Sequence, residues 1–159
     1  MQGNLAFLSA NTFFYRVERR GHRICRTGLW KDLGRSDAAL TGVHYVGWWE
    51  SRYPSKPYVA RAVQRAPWLF RGTGLRNGDT FGSRYGVEGD MTTNDSPRGI
   101  VVLADIEDIF GPGRSAHMTY YETRAGAKVF AAGAFGFESP QTPVHRQLLD
   151  NMWVRLTKP

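Results

Sequence analysis

Oxygen donors are the side chains that come closest to a chemical site. "YGVEGDMTTND" places Glu88, Asp90, Asn94 and Asp95 close together, and "LADIEDIFG" places Asp105, Glu107 and Asp108 just beyond an apolar run. Carboxylates gathered at a strand end suit a hard cation such as calcium or magnesium. Asp and Asn also favour turns, where their side chains bond the local backbone. The calcium-loop spacing is absent, so Asp105, Glu107 and Asp108 read as turn residues.

Nucleophiles and imidazoles give less. "FGSRYG" misses the G-x-S-x-G elbow because Gly86 falls one position late. His22, His44, His117 and His145 show no H-x-x-x-H or Cys/His spacing, so zinc is not indicated. His145, near the start of the last helix, reads as a surface residue, and His117, just ahead of a strand, as a pocket residue. The only cysteine, Cys25, is either a thiol activated by Arg23 and Arg26 or a small buried hydrophobe on a strand. One cysteine excludes an intrachain disulfide framework and fits a reducing, cytoplasmic compartment.

The elements that carry these residues follow from pattern. "GNLAFLSANTFFYRV" opens with the apolar run Leu5–Leu8 and passes into small and polar residues, as a central parallel strand feeding a loop does. Asn11 and Thr12 would then stand at its carboxyl end, where α/β sheets put ligands, and could orient a carbonyl oxygen or a water, or merely end the strand. Residues 13–20 and 22–27 read as a hairpin turning at Gly21, residues 28–57 as an aromatic loop, and residues 58–66 as a short helix ended by Pro67. "RYGVEGD" reads as one short strand, "GIVVLADIEDIF" starts as a buried one, and "HMTYYET", "RAGA", "KVFAAGAFGF" form the clearest hairpin. Thr142 and Pro143 open the one long helix, with Val144, Leu148, Leu149, Met152, Trp153 and Leu156 on one face. Trp48, Trp49 and Trp68 read as core aromatics, with an apolar acyl pocket as the other reading.

The expected fold is therefore α/β, strand-rich and α+β-like, with a mixed β-sheet, hairpins and a carboxy-terminal docking helix. With 159 residues, 42% hydrophobic, the chain can bury one substantial core, and 1–159 is expected to be a single domain. The net charge of +7 comes mainly from arginine and is densest in "RVERRGHRICR". Such a strip can meet a nucleic-acid backbone or another acidic partner, but no helix-turn-helix, zinc-finger or RNP-like pattern accompanies it. Its alternation also fits a solvated hairpin, and nucleic-acid binding is the minor reading. No apolar segment nears the ~20 residues that cross a bilayer, and no secretory pattern opens the chain, so no membrane partner is expected.

"GNLAFLSANTFFYRV", "WLFRGTGLRNGDTFG", "YGVEGD", "MTYYETRAGAKVFAAGAFGFE" and "LLDNMWVRL", in that order, resemble the carboxy-terminal part of the N,N-dimethylformamidase large-subunit (beta subunit-like) domain family. That family has a class I glutamine amidotransferase-like architecture. The resemblance implies that this chain is the back portion of a longer domain, lacking an upstream strand, a motif and a helix. An uncovered front of the sheet would then favour a homo-oligomer. The resemblance also implies iron, which the family holds through two tyrosines and one glutamate and which there activates water against an amide carbonyl. Tyr15 matches one tyrosine ligand and Glu88 the glutamate; the second tyrosine has no counterpart, and Asp90, Asn11 or Tyr85 are the groups near enough in sequence to replace it. Calcium or another hard cation is the alternative metal, and an ordinary strand aromatic and a surface carboxylate are the alternative readings of Tyr15 and Glu88.

The expected function is hydrolysis of an amide or lactone in a small-molecule substrate through metal-activated water, with Asn11 and His117 as catalytic polar groups and Tyr15 and Glu88 as metal ligands. A catalytically silent binding or assembly module is the alternative.

Overall fold

The computed structural model describes residues 3–49, 56–85 and 87–158. Six strands form a mixed sheet: β1 (Leu5–Phe7), β5 (Lys56–Ala60), β6 (Thr80–Tyr85), β8 (Val101–Ile106), β9 (Ala116–Glu122) and β10 (Lys128–Ala131). Their order is β1-β10-β9-β8-β5-β6; only the β1–β10 pair is parallel. Two separate ribbons join β2 (Tyr15–Arg20) to β3 (Arg23–Leu29), and β4 (His44–Trp48) to β7 (Glu88–Met91). Helices are α1 (Ala38–Thr41), α2 (Pro67–Phe70) and α3 (Pro143–Thr157). The strand-rich α/β class with a mixed sheet and a carboxy-terminal helix is therefore what the sequence predicts.

The core lies between the sheet and the two helices α2 and α3. Tyr58 is its centre: its ring stacks on Phe81 at 5.4 Å and meets Phe137 edge-on at 6.3 Å, while its hydroxyl donates to the Ala132 carbonyl at 2.8 Å. Burying that hydroxyl without a partner would cost about 1–3 kcal/mol, so the bond is what lets a tyrosine sit there. Phe130 and Phe137, also fully buried, pack 5.8 Å apart, and truncating either to alanine should cost about 3–5 kcal/mol.

Several elements differ from the sequence reading. No helix forms over 58–66: residues 58–60 end strand β5, where Tyr58 and Ala60 are buried with period two and the strand pairs with β6 and β8, and residues 61–66 hold only a turn. Pro67 starts a helix instead of ending one; it is the first residue of α2, where its missing N–H costs nothing. The loop expected over 28–57 contains the end of β3, a 3-10 turn (Trp30–Leu33), α1 and β4, with residues 50–55 outside the described part. "RYGVEGD" is divided between β6 and β7, which belong to different sheets. β1 pairs parallel to β10 as expected, yet it sits at the sheet edge among the described residues.

Helix α3 begins as expected, with the Thr142 hydroxyl accepting from the His145 N–H at 3.1 Å. Its inner face is His145, Leu148, Met152 and Leu156, whereas Trp153 is 63% exposed. His145, read as a surface residue, is fully buried: Nδ1 accepts from the Tyr85 hydroxyl at 2.7 Å and Nε2 donates to the Phe137 carbonyl at 2.7 Å. Both ring nitrogens are satisfied in the neutral form, and burial lowers its pKa. Trp68 packs against the core beside Tyr120, but Trp48 and Trp49 are exposed, contrary to the core reading. Cys25 is half-buried on the open β2–β3 ribbon, not enclosed. Asp108 is a turn residue as expected, at φ 47°, its carboxylate accepting from the Gly113 N–H at 2.8 Å; Glu107 lies in the same turn and pairs with Arg61, as does Asp105, which belongs to β8 and not to the turn.

Glycines seat the β4–β7 ribbon on the sheet. Gly47 and Gly89 face each other across it, and a Cβ at either would come within 3 Å of the Phe110 ring. Gly133, at φ +70°, lets the chain after β10 pass over β9: a Cβ there would overlap the His117 carbonyl oxygen, and its own carbonyl accepts from the Asp90 N–H at 2.9 Å. The ribbon is thereby held beyond the carboxyl ends of the parallel pair β1 and β10, where α/β sheets form crevices.

Candidate active site

A cleft of about 610 Å³ opens between the segment entering the β2–β3 ribbon, the stretch from the 3-10 turn to α1, the start of β4 and the loop after β7. Its polar residues include Asn11, Asp37, His44 and Tyr45. Asp37 is fixed as the N-cap of α1: its Oδ1 accepts from the Ala38 N–H at 3.0 Å, and its carbonyl accepts from the Thr41 N–H at 2.9 Å. Gly42 ends that single turn at φ 86°, in a position where a Cβ would strike Ile100 at 2.6 Å. The chain then reverses into β4, and His44 returns to within 2.6 Å of Asp37, Nδ1 to Oδ1.

A carboxylate only accepts, so Nδ1 carries the proton and Nε2 is left as the basic atom. His44 keeps 49% of its side chain exposed while Asp37 is buried, an arrangement in which an inner carboxylate fixes the tautomer and angle of an outer imidazole.

Asn11 lies on the same cleft at φ 55°, a left-handed conformation that asparagine tolerates better than most residues. Its N–H donates to both carboxylate oxygens of buried Asp90, at 2.9 and 3.1 Å. Asp90 sits opposite Tyr45 in the β4–β7 ladder. Burial pushes the Asp90 carboxyl up to about 7; the Asn11 N–H and His44 oppose this, while Asp37 and Glu88 add to it. The Tyr45 phenol is also raised, first by burial and then by Glu88 and Asp90, with Arg114 opposing.

The expected residues divide accordingly. Asn11 is on the cleft, and Asp90 is the group that clamps it. His117 is not a cleft residue: its Nδ1 accepts from the Thr92 N–H at 3.2 Å and lies 3.0 Å from the Thr92 hydroxyl, tying β9 to the end of β7, and burial lowers its pKa. Tyr15 lies outside the lining, which takes Phe13 and Phe14 from that segment, and its ring is covered by the Arg26 guanidinium at 4.2 Å. Glu88 is half-buried opposite Trp48 and also outside the lining. Tyr85 is fully buried with its phenol raised by burial, a poor phenolate donor.

The fit to a metal can be judged from the donor set. Among the described residues no three His, Cys, Asp or Glu side chains gather as ligands, and the two residues expected to bind do not share the cleft. Two donors do not complete a metal centre, so Tyr15 and Glu88 would need further ligands beside them. Asp37 and His44 went unread in the sequence. Asp37 ahead of "AALTG" is a cap-and-glycine signature that would have fixed the turn, and with it the return of His44.

The fold and cleft define a strand-rich α/β protein with an Asp–His pair at the crevice beyond its parallel strands. The chain belongs to the family described as N,N-dimethylformamidase beta subunit-like, C-terminal, whose model matches residues 2–140. Membership places it, at the coarse level, among dimethylformamidase-like hydrolases, for which amide hydrolysis is the activity class. Comparison with curated proteins finds no match. Among the described residues no helix is long and apolar enough to cross a membrane.

Proposed function

We propose that the cleft hydrolyses a carbon–nitrogen amide bond, with His44 as general base, Asp37 as its orienting group and Asn11 as the donor to the substrate carbonyl. His44 Nε2 takes a proton from water as the water oxygen bonds to the carbonyl carbon. The oxyanion that forms faces the Asn11 carboxamide, whose position is set by the Asp90 clamp on its backbone. The carbon–nitrogen bond then breaks as His44 returns the proton to the departing amine, leaving a carboxylic acid and an amine. A lactone would react through the same attack, with a carbon–oxygen bond breaking instead.

The observation that carries this reading is the 2.6 Å Asp37–His44 contact on a cleft shared with Asn11. Amine release from formamides and simple carboxamides should fall about a hundred- to ten-thousand-fold in His44→Gln, and Asp37→Asn should lose activity while binding the same inhibitors. Unchanged turnover in His44→Gln would refute it. Water activated by a metal at Tyr15 and Glu88 is the competing version of the same hydrolysis; it requires bound metal and leaves His44 dispensable.

A further inference from the structure

The two sides of the cleft differ in chemistry. Phe13 leans on Trp30 with ring centroids 4.9 Å apart and 53° between planes, and exposed Phe14 lies beside them. The Trp30 indole N–H is buried without a partner among the described residues. Directly after this aromatic wall come Lys31 and Arg35, both exposed on the rim, and neither joins an ion pair among the described residues. Of the two lining carboxylates, Asp37 is taken up by His44 and the Ala38 N–H, which leaves Asp95 on the loop after β7.

An aromatic wall selects a planar apolar group, and two cations beside it select an anion. The volume of about 610 Å³ suits a ligand far larger than a one-carbon amide. Resting on the hydrolase reading above, we infer that the substrate class is an aromatic amide bearing a carboxylate, of the N-aroyl amino acid type. The ring lies along Phe13 and Trp30, and the carboxylate meets Lys31 and Arg35, arginine offering it two parallel N–H donors.

The test is titration calorimetry of the full chain with three probes: N-benzoylglycine, benzamide, which lacks the carboxylate, and N-acetylglycine, which lacks the ring. N-benzoylglycine should bind at least tenfold more tightly than either fragment. The Lys31→Ala/Arg35→Ala double variant should lose that advantage and keep its affinity for benzamide, which also reports that the cleft is still folded. Equal affinities for the three probes, no saturable binding of N-benzoylglycine, or an advantage that survives the double variant would overturn the inference. Glycine release is followed separately. Tight binding with no cleavage would sink the hydrolase reading alone, whereas His44-dependent cleavage of simple amides without the tenfold preference would sink the substrate inference alone.

Discussion

Asp90 offers the most direct quantitative test of the site. Its carboxyl is 5% exposed and titrates at about 7, against 3.8 for a free aspartate. Between these values the unfolded chain has lost the proton and the folded chain still holds it, so the group's contribution to stability falls as pH rises and levels off above about 7. At about 1.4 kcal/mol per pH unit the whole interval amounts to about 4 kcal/mol. Asp90→Asn keeps an oxygen acceptor for the Asn11 N–H and cannot ionise. Near pH 4, where the native acid is neutral, the variant should match the wild type within about 1 kcal/mol; at pH 8 it should be the more stable by up to about 4 kcal/mol. Urea unfolding of both proteins from pH 4 to 8.5 measures the difference directly and cancels the other titrating groups. A difference that stays constant across this range would refute the reasoning, because it would mean that Asp90 is ionised throughout.

Other expectations are simpler to check. Tyr85→Phe removes the hydroxyl that donates to His145 Nδ1 and should cost about 1–3 kcal/mol in urea unfolding, with little change in the slope. Burial holds His145 neutral, so its contribution is lost as pH falls through the unfolded value near 6.5, and His145→Phe should flatten that part of the wild-type curve. Gly133→Ala places a methyl group on the His117 carbonyl at a positive φ and should prevent folding or lower the melting temperature by many degrees in calorimetry. Protein purified without chelators should hold less than one equivalent of iron or calcium by plasma mass spectrometry, and Tyr15→Phe and Glu88→Gln should leave that content unchanged; a full equivalent lost in both variants would restore the metal reading.

The parts of the fold that were legible in sequence are those set by neighbouring residues. The alternation of Arg16–Arg20 with a glycine turn gave the first ribbon, Ala125-Gly126 gave the β9–β10 hairpin, and Thr142-Pro143 gave the start of α3. β5 was not legible because Tyr58, Val59, Ala62 and Val63 satisfy a helical spacing as well as a strand one, and the choice is made by pairing with β6 and β8. The burial of His145 depends on a tyrosine 60 positions away, and the clamp on Asn11 on an aspartate 79 positions away, relations that no local pattern encodes. The place of Asn11 on the cleft could be anticipated because the end of a strand is a local feature; the Asp37–His44 contact could not, because it is made by a turn hidden in an aromatic stretch.

The pairing of Leu5–Phe7 with Val129–Ala131 also fixes the order in which this protein can be assembled. A ribosome delivers the first strand long before its partner, and the intervening hairpins can close in the meantime. Asn4 must then wait longer still, since its side chain accepts from the Lys128 N–H and donates to the Leu156 carbonyl near the end of α3. Because Asn11 follows that strand by only four residues, the cleft is completed among the last events of folding. A nascent chain stalled before residue 128 should therefore leave the opening strand, and any activity, unformed.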